Sequence, residues 1–181
     1  MNSSVPMYRE VQPYRELPPF TLLTGVGTLF GWFLIVWVAL MERPLGALTL
    51  PSWLAWVIGL SFGVLLPLAY MRMRMVTEVY ADRLLLNNGV SGRVVFPVAD
   101  IAEIELRTGN IHEDYNVRNV GTIRSTRIAY TVTSTDGVQL VLVDGRQFLI
   151  GSKNPQELNE AILKAWQDVH PNNVPTEIQI V

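Results

Sequence analysis

The sequence contains no cysteine, only two histidines, and no strong excess of either charge. Without cysteine the chain cannot form disulfides, thiolate metal sites, iron–sulfur clusters or a cysteine nucleophile. A net charge of −2 argues against a nucleic-acid binder, which normally carries a basic stripe. The sequence also lacks a G-x-S-x-G elbow and a phosphate-binding glycine loop. We therefore expect no catalytic, cofactor-binding or metal-binding residues, and no enzymatic activity.

One short motif could suggest a metal site. His112, Glu113 and Asp114 are consecutive, within a polar segment. The other histidine, His170, lies near the end of the chain. Three adjacent residues in a polar segment are more typical of a solvated turn than of a metal site, and we interpret them so.

Charge is absent from two long stretches, residues 17–41 and 44–71. Each is long enough to cross a hydrocarbon layer about 30 Å thick at about 1.5 Å per residue. The connection between them, ERPLGALTLPS, is rich in turn residues. The pattern predicts a transmembrane helical hairpin over residues 20–71. Two buried helices of a soluble protein are the alternative. A cleaved signal peptide fits poorly, because the first stretch begins late and has no basic start.

Positive charges flank the hairpin unevenly. Arg9 and Arg15 precede it and Arg72 and Arg74 follow it, whereas the connection holds only Arg43. Cytoplasmic flanks carry the excess of Lys and Arg, and two crossings place both ends on one side. We therefore expect an inner-membrane protein with both termini in the cytoplasm.

Each charge-free stretch contains a G-x-x-x-G motif, Gly27 to Gly31 and Gly59 to Gly63. Glycines at this spacing allow helix backbones to approach closely in lipid. The glycine faces pack against a partner's helices, or meet each other inside the hairpin, or merely reflect how common glycine is in membrane helices. The stretches carry no ionisable residue, which argues against a transporter, channel or proton pump. They also carry no histidine that could ligate a haem or chlorophyll.

From residue 75 onward the apolar runs become short and alternate, with turn residues every few positions. These runs predict about seven antiparallel strands: VTEVYAD, RLLLNNG, GRVVFPV, IAEIELR, RIAYTVT, VQLVLV and RQFLI. We expect the last three to form a meander, with Asp144-Gly145 as the two-residue turn between the last two strands. Residues 108–126 are expected to form a long polar loop. The fold class is then α+β.

A helix follows the strands. Asn154 is suited to cap it, Pro155 fits the first helical position, and Glu157 stands where a capping-box carboxylate belongs. Apolar residues then recur on one face, which we expect to pack onto the sheet: Leu158, Ala161, Ile162, Ala165 and Trp166. Residues 170–181 are expected to be an extended tail.

Three stretches, TEVYADRLLLNN, VVFPVADIAEIE and GVQLVLVDGRQFLIGSKNPQELNEAI, together with the N-terminal YREVQPYRE, carry a family resemblance. Over residues 8–168 the chain resembles bacterial membrane proteins with two transmembrane helices and a pleckstrin-homology-like (PH-like) domain. The resemblance implies a β-barrel or sandwich of about seven strands, closed by the C-terminal helix. It divides the chain into an N-terminal segment (1–19), the hairpin (20–71), a cytoplasmic PH-like domain (75–169) and the tail (170–181).

Basic residues are concentrated in the second half of this domain, including Arg118, Arg124 and Arg127. They are a possible docking surface for a partner protein or anionic lipid, or simply a solvated surface. We expect a non-catalytic accessory subunit that stabilises a larger membrane complex, possibly a bioenergetic or photosynthetic one. The alternative is a free-standing membrane-anchored module that recruits a soluble protein or anionic lipid. The expected partners are other membrane subunits and the bilayer, with no nucleic acid.

Overall fold

A computed structural model describes residues 5–45, 49–89, 92–108, 127–132 and 134–171. Its helices are α1 (Pro18–Leu40), α2 (Ser52–Arg72) and α3 (Pro155–Val169). Its strands are β1 (Tyr8–Pro13), β2 (Arg74–Val79), β3 (Arg83–Asn88), β4 (Gly92–Pro97), β5 (Ile101–Arg107), β6 (Arg127–Tyr130), β7 (Gly137–Leu142) and β8 (Gln147–Gly151). The α+β class is confirmed.

The chain divides into two compact units. The hairpin unit is Pro13–Met73, and the β unit combines Met1–Gln12 with Arg74–Val181. The sequence predicts a separate segment over residues 1–19. Instead, β1 is the hydrogen-bonded neighbour of β2, and the Met7 amide donates to the Val79 carbonyl at 2.7 Å. The hairpin is therefore inserted between two adjacent strands of one sheet.

Helices α1 and α2 are long and apolar enough to cross a membrane. Only 22% and 17% of their most apolar windows are buried, whereas the core helix of a soluble protein is mostly buried. Each helix contains a π-helical segment, Ile35–Leu40 in α1 and Ser61–Leu65 in α2. The second precedes Pro67, whose ring would collide with a carbonyl one turn back in a regular α-helix. The wider π-turn accommodates this proline.

The β unit contains two four-stranded sheets. Sheet A has the order β1-β2-β3-β4, and sheet B has the order β5-β7-β8-β6. The expected meander of the last three strands is wrong, because β6 pairs in parallel with β8, for example Ala129 opposite Leu149. Strand β7 already pairs with β5 and β8, and β6 pairs with the other side of β8. In the described part of the chain the two sheets do not close into a barrel.

The C-terminal helix packs against the β unit as its apolar face predicts. Leu158, Ile162, Ala165 and Trp166 are buried, while Ala161 is partly exposed. The Trp166 indole Nε1 donates to the Ile101 carbonyl at 2.9 Å, which ties α3 to the start of β5. Buried side chains of the β unit that are less than 2% exposed include Val79, Leu84 and Leu86 of sheet A, Val98 between β4 and β5, and Val138, Leu140 and Ile150 of sheet B. Leu149 lies on the other face of sheet B, where it packs against Ala129.

Candidate functional site

Strand β1 turns its polar side chains inward. Tyr8 and Glu10 are half-buried and Gln12 is 1% exposed, whereas Arg9 and Val11 on the other face are exposed. Strand faces alternate with every residue, so the usual arrangement would place Val11 inside. A polar inward face is stable only if its groups find hydrogen-bond partners.

Those partners converge on the carboxylate of Glu10. One oxygen, Oε2, accepts from the Tyr8 hydroxyl at 2.8 Å and from the Ser152 hydroxyl at 2.6 Å. The other, Oε1, accepts from the Gln12 side-chain amide at 3.1 Å and from the Lys153 backbone amide at 2.8 Å. We call these five residues the Glu10 cluster. A carboxylate offers about four acceptor positions, and all four are occupied here.

The Glu10 cluster joins β1 to the junction between β8 and α3. The Gln12 side-chain amide also donates to the Gly151 carbonyl at 2.8 Å. The Ser152 hydroxyl in turn accepts from the Asn154 amide at 3.0 Å. Burial is the main cause that raises the pKa of Tyr8 well above its ordinary value, so the hydroxyl stays protonated and able to donate. With all four acceptor positions of the carboxylate filled, the cluster acts as a clasp that holds the N-terminal strand.

The predicted caps of the C-terminal helix differ from the structure in one respect. Asn154 occupies the N-cap position, but its side chain makes no capping hydrogen bond, and the Leu158 amide bonds instead to the Asn154 backbone carbonyl. The hydroxyl of Ser152 takes part in organising this turn. Glu157 lies in the first helical turn, where a negative charge interacts favourably with the helix dipole.

The four motif glycines bring α1 and α2 together. A Cβ on Gly31 would lie 2.7 Å from the Gly59 carbonyl oxygen and 2.9 Å from the Cα of Gly63. A Cβ on Gly59 would lie 2.9 Å from the Gly31 oxygen, and one on Gly27 would meet Leu66 at 3.2 Å. These separations exclude larger residues at Gly31 and Gly59. Of the alternatives raised by the sequence, the structure shows the glycine faces meeting inside the hairpin.

The opposite faces of α1 and α2 carry large apolar side chains that the hairpin leaves uncovered. Leu22 is 72% exposed, Leu29 is 73% exposed and Trp53 is 66% exposed. Near the ends of the helices, the Tyr70 hydroxyl donates to the Tyr14 carbonyl at 2.8 Å and lies 3.0 Å from the Thr21 hydroxyl. These hydrogen bonds tie the two ends of the hairpin together.

The predicted docking residues lie largely outside the described residues. This holds for Arg118 and Arg124, as it does for the segment from His112 to Asp114. The backbone of Arg127 begins β6, where it is paired with Gln147. The docking surface formed by these arginines therefore stays a prediction.

No curated protein and no solved structure matches the chain. A family profile described as "Family of unknown function (DUF6141)" matches residues 3–169. This range contains β1, both apolar helices, both sheets and α3, so the match includes the Glu10 cluster as well as the hairpin. The chain therefore belongs to the DUF6141 family.

Proposed function

We propose that the chain is a non-catalytic module anchored in the inner membrane by α1 and α2, with the β unit as its cytoplasmic binding domain. The length of the helices and their exposed apolar faces support the membrane anchor. Lipid would cover the side chains that the hairpin leaves uncovered, such as Leu29 and Trp53.

Sheet A supports an even number of crossings. Strand β1 comes before the hairpin and β2 after it, yet the two are hydrogen-bonded neighbours. Both ends of the hairpin must then lie on one side of the layer that the helices cross. The basic flanks, Arg9, Arg15, Arg72 and Arg74, favour the cytoplasm as that side.

A free-standing module has better support than a subunit of a larger complex, and this support comes from one observation. The chain itself supplies the contacts that a fixed partner would otherwise provide: its glycine faces meet each other, and the Glu10 cluster holds its N-terminal strand. A hairpin that is closed on itself needs only lipid around it. The β unit would then recruit a soluble protein or anionic lipid to the membrane.

An accessory subunit of a larger membrane complex, bioenergetic or photosynthetic for example, is the second candidate. The observation that favours it is the aromatic content of the exposed helix faces: Phe20, Phe30, Trp32, Phe33, Trp53, Trp56 and Phe62 are all at least 40% exposed. Aromatic side chains provide large contact areas to neighbouring helices as well as to lipid.

We also propose that the β unit is related to PH-like domains. Two sheets followed by a C-terminal helix support this relation. The parallel pairing of β6 with β8 departs from the antiparallel order that the resemblance implies.

Extraction of the full-length chain from native membranes in mild detergent tests these proposals. The extract is separated by size, and the proteins that travel with the chain are identified by mass spectrometry. We expect the chain to need detergent for extraction and to migrate alone or as a small homo-oligomer. Co-migration with a large complex at fixed stoichiometry would favour the accessory subunit, and extraction by salt alone would refute the anchor.

A further inference from the structure

One face of sheet A carries most of its charges. Strand register places Arg93 opposite Asn87, and Asn87 opposite Val76 on the next strand. Paired residues share a face, so these three residues lie on the face opposite to the buried Leu84 and Leu86. Arg74, two residues before Val76, is on that same face. We call it the arginine face of sheet A.

Two of the arginines on this face are already neutralised. Arg9 forms an ion pair with Glu78 at 3.2 Å, and Arg83 forms one with Asp82 at 3.3 Å. Within the described residues, Arg74 and Arg93 form no ion pair, and both are exposed. Among the described residues, two positive charges of the arginine face are therefore without an ion pair.

These two charges belong to the same end of sheet A. Gly89, just after β3, donates to the Arg74 carbonyl at 3.2 Å, and β4 begins at Gly92 opposite Asn88. The arginines are two strands apart, about 10 Å across the sheet, and are offset by two residues, about 7 Å, along it. Asn87, which is exposed, lies on the strand between them.

This end of sheet A is tied to the membrane helix by the covalent chain. Arg74 is the second residue after Arg72, the last residue of α2. Two residues of chain span at most about 7 Å, which is comparable to the thickness of one headgroup layer, about 5–8 Å on each side of the hydrocarbon core.

We propose that Arg74 and Arg93 bind the phosphate groups of anionic phospholipids at the surface of the membrane that α1 and α2 span. The proposal rests on the membrane anchor proposed above and names a ligand for the β unit. A guanidinium binds phosphate through a pair of parallel hydrogen bonds, which gives geometric preference as well as charge. Lipid phosphate is a better candidate ligand for Arg74 and Arg93 than a partner that lies away from the membrane, because the short connection to α2 keeps Arg74 within reach of the headgroups.

The test uses the full-length chain in phosphatidylcholine nanodiscs. The association of spin-labelled phosphatidylglycerol, relative to spin-labelled phosphatidylcholine, is measured by electron paramagnetic resonance. The variants are Arg74→Gln, Arg93→Gln and the double variant, and the matched control is Lys164→Gln, an exposed cation on α3. Thermal unfolding in phosphatidylcholine alone verifies that each variant is folded.

We expect the preference for phosphatidylglycerol to fall by about fivefold for each arginine replaced, and by about 25-fold in the double variant. Lys164→Gln should keep the wild-type preference. An unchanged preference in a double variant that enters nanodiscs would overturn the lipid site while leaving the membrane anchor intact. An equal fall in the control would also overturn it, as would a wild-type chain that fails to enter nanodiscs, which would refute the anchor itself.

Discussion

Replacement of Glu10 by alanine should release β1 from the rest of the β unit. The substitution removes the acceptor of four hydrogen bonds and leaves the strand register unchanged. Strand β1 is at one edge of sheet A, so its release leaves the remaining three strands paired. We therefore expect local opening rather than global unfolding.

The magnitude follows from the burial of the four donors. The Tyr8 hydroxyl and the Lys153 amide are partly accessible and can bond to water instead. Gln12 keeps its bond to the Gly151 carbonyl. Ser152, which is 1% exposed, keeps the longer contact of 3.3 Å with the Tyr8 hydroxyl and loses its charge-assisted bond. Such a bond contributes about 1.5–3 kcal/mol, so we expect the free energy of opening to fall by about 2 kcal/mol.

Amide hydrogen exchange of the full-length chain measures this opening. A loss of about 2 kcal/mol corresponds to exchange roughly 30-fold faster in peptides that cover residues 5–13. Val11→Ala is the matched control, because Val11 lies on the exposed face of the same strand and its replacement should change the free energy by no more than about 0.5 kcal/mol. Equal exchange rates in the two variants would refute the clasp.

Three further predictions concern the helical hairpin, the Tyr8 hydroxyl and the C-terminal helix. Gly31→Ala should destabilise the hairpin by about 1–3 kcal/mol in detergent unfolding, because its Cβ would meet backbone. Gly25→Ala, with open space around it inside α1, should instead stabilise the hairpin by up to about 1 kcal/mol. Burial raises the pKa of Tyr8, so the unfolded chain loses this proton first and stability should fall as the pH rises above about 10. Tyr8→Phe should show a smaller alkaline loss in the thermal midpoint. Trp166→Phe should lower the free energy of unfolding by about 2 kcal/mol in a denaturant titration, since the Ile101 carbonyl loses a buried donor.

Local sequence patterns predicted the elements that depend on near neighbours. The alternation from β2 to β5, and the Asp144-Gly145 turn between β7 and β8, lie close to where the structure has them. Gly145 has a φ of +82°, which explains why a glycine stands at that turn. Helix α3 begins at Pro155, the residue that the sequence placed first.

Features that depend on distant partners escaped prediction. Strand β1 has polar side chains on its inward face, so it reads as a solvated tail until Ser152 and Lys153 are placed beside it. The alternation of Tyr8, Glu10 and Gln12 is the one local signal that could have indicated a strand. Nothing near β6 in the sequence indicates that β8 separates it from β7, because strand order depends on long-range packing.

The insertion of the hairpin between β1 and β2 has a consequence for biosynthesis. Strand β1 is synthesised before α1 and α2, whereas its neighbour β2 follows them. It must therefore stay unpaired until the chain beyond α2 has been made. If the helices enter a membrane as proposed, sheet A closes only when both have crossed it. If only one helix had crossed, β1 and β2 would lie on opposite sides of the membrane. The donors around Glu10 would then lack their acceptor, and the open edge of sheet A would be accessible to proteases.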